Sequence, residues 1–131
     1  MDCGPTCLKM IAEYYSKRID VTKMCGISKL KKEGTSLLQL VDAATALGFI
    51  CEGLEIGITH LNSVNLPVIL YWNQCHFVVL FKILKDIYYI ADPASGIFKI
   101  TETELLDHWY AEHSTQRTRG ILLTFSVIKQ V

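Results

Sequence analysis

The sequence has no apolar run long enough to cross a bilayer. Stretches such as Phe77–Phe81 stop far short of the ~20 residues a spanning helix needs. It has no excess of either charge: 13 basic and 13 acidic residues give a formal net charge of zero. That balance leaves no electrostatic draw toward nucleic acid or an anionic membrane surface. No glycine-rich loop follows a strand-like segment, which speaks against nucleotide binding. No basic-then-apolar segment stands at the front in the manner of a signal peptide. No C-x-x-C pair occurs, and the five cysteines are an odd number at irregular spacing. At least one therefore lacks an intramolecular partner, and the pattern points to free thiols in a reducing compartment. Cys3 and Cys7 lie one helical turn apart, but no second pair has metal-ligand spacing. Neither a metal nor an organic cofactor is expected.

What is present is enough for a core. The chain has 131 residues, 50% of them hydrophobic and 20% charged, with no low-complexity segment and no internal repeat. A single domain over residues 1–131 is the expectation.

From Gly4 to about Tyr15 the apolar residues Cys7, Leu8, Ile11, Tyr14 and Tyr15 recur at helical spacing. Asp2 or Cys3 suits the N-cap side, and Pro5 suits the first turn, where its missing N–H costs nothing. Glu13 and Lys17 form a correctly oriented i,i+4 pair. Ser16–Lys32 reads as a loop with a short helix near Val21–Cys25, and Lys29, Lys31 and Lys32 read as a solvated surface. A second helix opens at Gly34-Thr35-Ser36, carries Leu37, Leu38, Leu40, Val41, Ala44 and Leu47, and stops at Gly48. Phe49–Leu54 reads as a strand and His60–Val64 as a turn of helix. From Leu66 the pattern becomes β. Pro67–Trp72, His76–Phe81, Ile87–Ala91 and Ile97–Ile100 are short strands, separated at Asn73-Gln74-Cys75, Asp86 and Asp92–Gly96. Thr101 and Glu104 form a capping box for a helix through Leu105, Leu106 and Trp109. Arg117–Arg119 is a polar connection, and Gly120–Phe125 is a last strand. Helices first, then strands joined by tight turns, predict an α+β fold with helices packed on an antiparallel sheet.

Three residues in this scheme can converge. Cys3 stands at the N-terminus of the first helix, the end where a thiol is most easily deprotonated. His76 opens one strand, and Asp92 closes the strand that follows. If those strands are antiparallel neighbours, the two side chains share an edge of the sheet. Carboxylate, imidazole and thiol are then orienter, base and nucleophile for acyl transfer. Each has an ordinary reading by itself: a small buried hydrophobe, a hydrogen bond to a turn, and Asp-Pro turn chemistry. Cys51 and Cys75 read as core or strand residues, and His60, His108 and His113 as surface. Trp72 and Trp109 read as core, and Trp72 is close enough to His76 to wall a cleft.

The segment from Asp2-Cys3-Gly4-Pro5-Thr6-Cys7-Leu8-Lys9-Met10-Ile11 to Ala12-Glu13-Tyr14-Tyr15 resembles the nucleophile segment of the C39 family of cysteine peptidases. Gly34-Thr35-Ser36-Leu37 and Leu47-Gly48-Phe49 are similar to its second helix. Leu66-Pro67-Val68-Ile69 through Trp72-Asn73, with His76-Phe77-Val78-Val79-Leu80, resembles its histidine segment. Ile90-Ala91-Asp92-Pro93-Ala94 and Gly96 resemble its aspartate segment. The resemblance runs in order along nearly the whole chain. It implies a papain-like domain at the cytoplasmic face of the membrane, as part of a bacterial ABC exporter. It implies removal of double-glycine leaders from secreted peptide precursors such as bacteriocins, with Cys3, His76 and Asp92 as the triad. A narrow cleft would admit only glycine, and an apolar surface nearby would take the leader's amphipathic helix. The expected partners are thus the precursor and the transmembrane and ATPase parts of the exporter, with no membrane insertion by this segment. Family members also carry a glutamine a few residues before the nucleophile that donates to the oxyanion. Only two residues precede Cys3 in the sequence, so the expectation includes impaired activity for the chain as given. Gln74 has no feature that puts it in that role. Two other readings remain at this point: a leader-binding module that recruits substrate without cutting it, and another papain-like thiol acyltransferase.

Overall fold

The structure, a computed structural model, describes residues 3–15, 36–111 and 118–127. The expected loop with a short helix at Val21–Cys25, the basic cluster Lys29, Lys31 and Lys32, Lys17, His113 and Arg117 lie outside the described residues. Helix α1 spans Cys3–Tyr14 and α2 spans Leu37–Ala46. Strand β1 (Phe49–Gly57), the short helix α3 (Ile58–Leu61), and strands β2 (Val68–Trp72), β3 (His76–Leu84), β4 (Ile87–Asp92) and β5 (Gly96–Thr101) follow. Helix α4 (Glu102–His108) and strand β6 (Arg119–Val127) complete the chain order.

The strands form one six-stranded sheet in the order β1-β6-β2-β3-β4-β5, with every pairing antiparallel. The hairpins follow from turn chemistry. Lys85 and Asp86, both at positive φ, link β3 to β4 in the two-residue form whose twist suits the strands. Gly96, φ 94°, opens β5 at the left-handed position that closes the Asp92–Ser95 turn. The expected α+β architecture is the observed one. Strand alternation sends two sets of side chains to opposite faces, and helices cover both.

On one face α1 and α2 pack over Phe49, Ile69, Phe77, Val79, Leu123 and Phe125. Helix α1 contributes Cys3, Cys7, Leu8, Ile11 and Ala12 to that core, each fully buried large aliphatic side chain being worth about 1.5–3 kcal/mol. Ser36 caps α2 with a reciprocal capping box through Gln39. Tyr14 and Leu38 depart from the expected apolar stripes: they are exposed at 64% and 69%, because the packed part of each helical stripe stops short of them. On the other face α3 and α4 cover Val68, Leu70, Val78, Leu80, Tyr88 and Leu122. The Thr101–Glu104 capping box opens α4 as expected. Trp109, fully buried, donates its indole Nε1–H to the Ile121 carbonyl at 2.8 Å. A Cβ at Gly120 would sit 2.2 Å from that ring, so only glycine allows Trp109 to lie flat on β6.

Candidate active site

Antiparallel pairing of β3 with β4, through Val79↔Ala91 and Leu80↔Ile90, brings the start of one strand beside the end of the next. His76 and Asp92 meet there, with Nε2 and Oδ1 2.7 Å apart. The imidazole Nε2–H donates and the carboxylate accepts, which leaves Nδ1 as the ring nitrogen without that bond. Both side chains are largely sheltered, at 14% and 11% exposure. Oδ1 of Asp92 also accepts the Ala94 N–H at 2.8 Å. One carboxylate therefore closes its own Asp-Pro turn and holds the His76 imidazole. Partial burial by itself pushes the Asp92 carboxyl up. The hydrogen bonds from His76, Ala94 and Ser95, together with the imidazolium charge, outweigh it and hold the group below the ordinary carboxylate range. Asp92 is thus ionised at neutral pH.

Helix α1 lies across this edge, and Cys3 is its first residue, nine-tenths buried or more at 6% exposure. Cys3 shares its core with Val79 and with Phe77 and Ala91, the neighbours of His76 and Asp92 in the two strands. Its backbone N–H is one of the four at a helix start that have no intrahelical acceptor. Cys7, one turn on, is a different thiol. Its Sγ–H donates to the Phe77 carbonyl at 3.3 Å. Burial, reinforced by the nearby charges of Cys3 and Asp92, pushes its pKa far up. Cys7 is a packing group and a weak donor.

The remaining sequence expectations divide. Cys51 is half-buried in β1, and burial raises its thiol to about 11. Cys75 corrects the core-or-strand reading: it is exposed in the β2–β3 turn, because the turn residues ahead of it point the chain outward before β3 begins. Trp72 is buried as expected, but it does not wall an open cleft. It is the cross-strand partner of His76, and its indole packs under α4, stacked on His108 at 4.9 Å. His60 and His108 are exposed. Gln74 donates its side-chain amide to the Tyr110 carbonyl. Among the described residues no group of three His, Cys, Asp or Glu side chains is arranged to hold a metal. No helix among them is long and apolar enough to cross a membrane.

Beside Asp92 opens a groove of about 530 Å³ between α1 and the β4–β5 end of the sheet. Met10, Tyr14, Phe81 and Ile97 give it an apolar lining, and Glu13 and Asp92 are its charged members. Ile97 is 75% exposed there. Periodicity marked Tyr14 as buried and did not mark Ile97 at all; an exposed isoleucine on an edge strand becomes informative only once its neighbours are known.

Residues 1–114 match the Peptidase C39 family. The chain is 33% identical over 95 residues to the probable microcin-H47 secretion/processing ATP-binding protein MchF of Escherichia coli, covering 72% of this chain and 14% of that protein. It is 33% identical over 104 residues to the colicin V secretion/processing ATP-binding protein CvaB of the same species, covering 79% of this chain and 15% of that protein. The chain thus spans about one-seventh of the length of these relatives. Among solved structures, it superposes on a double glycine motif protease from an AMS/PCAT transporter in complex with the leader peptide. The TM-score is 0.83 at 29% identity, over 97% of this chain and 85% of that one. The peptidase domain of Streptococcus ComA shares the fold, with TM-score 0.75 at 23% identity over 97% of this chain and 92% of that one. With that family matched over residues 1–114 of 131, the chain belongs to the C39 family of peptidases.

Proposed function

We propose that this domain is a cysteine peptidase that cuts secreted peptide precursors after a double-glycine leader, working at the cytoplasmic face of an ABC exporter. The observation that carries the reading is the 2.7 Å His76–Asp92 pair at the sheet edge crossed by the helix that begins with Cys3. In this mechanism the Cys3 Sγ–H gives its proton to His76 Nδ1. The thiolate attacks the carbonyl carbon of the second glycine, and a C–S bond forms as the carbonyl π pair moves to oxygen. The Cys3 backbone N–H is suited to receive that oxyanion. Collapse breaks the C–N bond, and His76 Nδ1–H protonates the departing amine. A water that gives its proton to His76 then attacks the thioester, releasing the leader carboxylate and the thiol. Asp92 holds the imidazole in one tautomer and offsets its charge throughout.

The apolar groove next to Asp92 fits the apolar face of an amphipathic leader helix. A helix seated there would run its C-terminal end toward His76. The transmembrane and ATPase portions of an exporter are the partners this reading implies.

The test is incubation with a precursor peptide carrying a Gly-Gly leader, beside Cys3→Ala. The expected result is cleavage after the second glycine, lost by roughly 10⁴-fold or more in the variant. Tight leader binding without cleavage would establish a recruiting module instead.

A further inference from the structure

The turn that delivers His76 contains a residue that turn chemistry by itself would not select. Asn73 and Gln74 have φ of 52° and 60°, so both central residues of the turn closed by the Cys75 N–H on the Trp72 carbonyl lie in the left-handed region, within a three-residue connection between the paired Trp72 and His76. Asparagine tolerates that region. At the second position glycine is the usual choice, and a long side chain is strained there. Gln74 brings something glycine cannot. Its Nε2–H donates to the Tyr110 carbonyl, 36 positions away, just past the end of α4. Its own carbonyl accepts from the Tyr71 hydroxyl at 2.5 Å.

Its neighbours make the same connection. The Asn73 N–H donates to the His108 carbonyl at 2.8 Å, and Asn73 Oδ1 accepts from His108 Nδ1 at 2.9 Å. The Trp72 indole lies nearly parallel to the His108 ring, at 13°. The turn is therefore held from β2 on one side and from the end of α4 on the other. The end of α4 is itself fixed by Trp109 on Gly120 and Ile121. His76 follows this turn as the first residue of β3, paired with Trp72. A small rotation of the hairpin tip would carry its ring off Asp92.

We propose that Gln74 is a positioning residue for His76. Its amide clasps the β2–β3 turn to the end of α4, so that the imidazole stays on Asp92 with Nδ1 turned to its task. The inference rests on the reading of His76 as the base. It also explains why this glutamine is not the oxyanion donor, since its amide is engaged on Tyr110.

Gln74→Gly tests this cleanly because glycine suits the turn's backbone, so Tm should stay the same or rise. Gln74→Glu keeps the length and removes the donor. For both variants kcat on a Gly-Gly precursor should fall about tenfold with KM unchanged. The downfield proton resonance of His76 Nε2–H on Asp92, followed by NMR, should broaden and exchange faster. Wild-type kcat, or an unchanged His76 resonance, in Gln74→Gly overturns the clasp, as does a loss of kcat that follows a matching fall in Tm. If wild-type protein cuts no such precursor, the peptidase reading fails, and the NMR comparison still decides whether Gln74 positions the ring.

Discussion

The two faces of the sheet are packed to different ends. Beneath α4 the layer is closed: Trp109 is fully buried, its indole N–H is satisfied, and the sheet gives up a side chain at Gly120 to seat it. Across α1 the layer is incomplete by design of its edges. Cys7, Leu8 and Ile11 seal its middle, while Cys3 at one end shares the core of Phe77 and Ala91 and the flank opens into an apolar groove. On the proposed reading this face receives a peptide, and such a face cannot also bury every apolar group. The opposite face can supply the stability that this one forgoes. The β2–β3 turn is anchored on the α4 side, and the strand it leads into begins with His76.

That division of labour can be broken from either face. The largest effect expected is on chemistry. On the proposed mechanism His76→Ala removes the base and should lower kcat on a Gly-Gly precursor by about 10²- to 10⁴-fold, while urea unfolding shifts little. Trp109→Ala should act mainly on stability. It empties the closed layer and should cost about 3–5 kcal/mol in denaturant titration, and because Trp109 fixes the end of α4 that holds the β2–β3 turn, kcat of the folded fraction should also fall, by less than in His76→Ala. A smaller effect is expected at the groove. Replacing Tyr14 and Ile97 together by serine should raise KM for a full-length leader about tenfold, near 1.4 kcal/mol. A short Gly-Gly peptide that does not reach the groove should show no change, and equal effects on both substrates would remove the groove from recognition.

The smallest effect concerns pH. Asp92 is held below the ordinary carboxylate range, so its ionised form stabilises the fold. That contribution is complete above the unfolded-state value, about 3.9, and disappears as pH falls through the lower folded value. Thermal unfolding between pH 2 and 6 should therefore show a shallower acid slope for Asp92→Asn than for wild type. An identical slope would mean that the His76–Asp92 pair contributes nothing to stability.

Much of this was legible before any coordinates. Ser36, Gly48, the Thr101–Glu104 box and the Asp92–Gly96 turn mark their element ends, because capping and left-handed backbone depend on residues a few positions apart. His76 and Asp92 were placed together by one topological assumption, that consecutive strands pair antiparallel. Exposure of Tyr14 and Leu38 was not legible, since a helical stripe has a width and only the packed sheet decides where it stops. Cys3 and Cys7 have the same side chain on the same helix. Local pattern was enough to show that one opens the helix and that a histidine strand and an aspartate turn follow it. The folded packing alone shows that the Cys7 thiol is spent on the Phe77 carbonyl, that the groove lies beside Asp92, and that Gln74 reaches Tyr110. Those outcomes depend on the burial and hydrogen-bond partners that distant segments bring, and no local pattern encodes them.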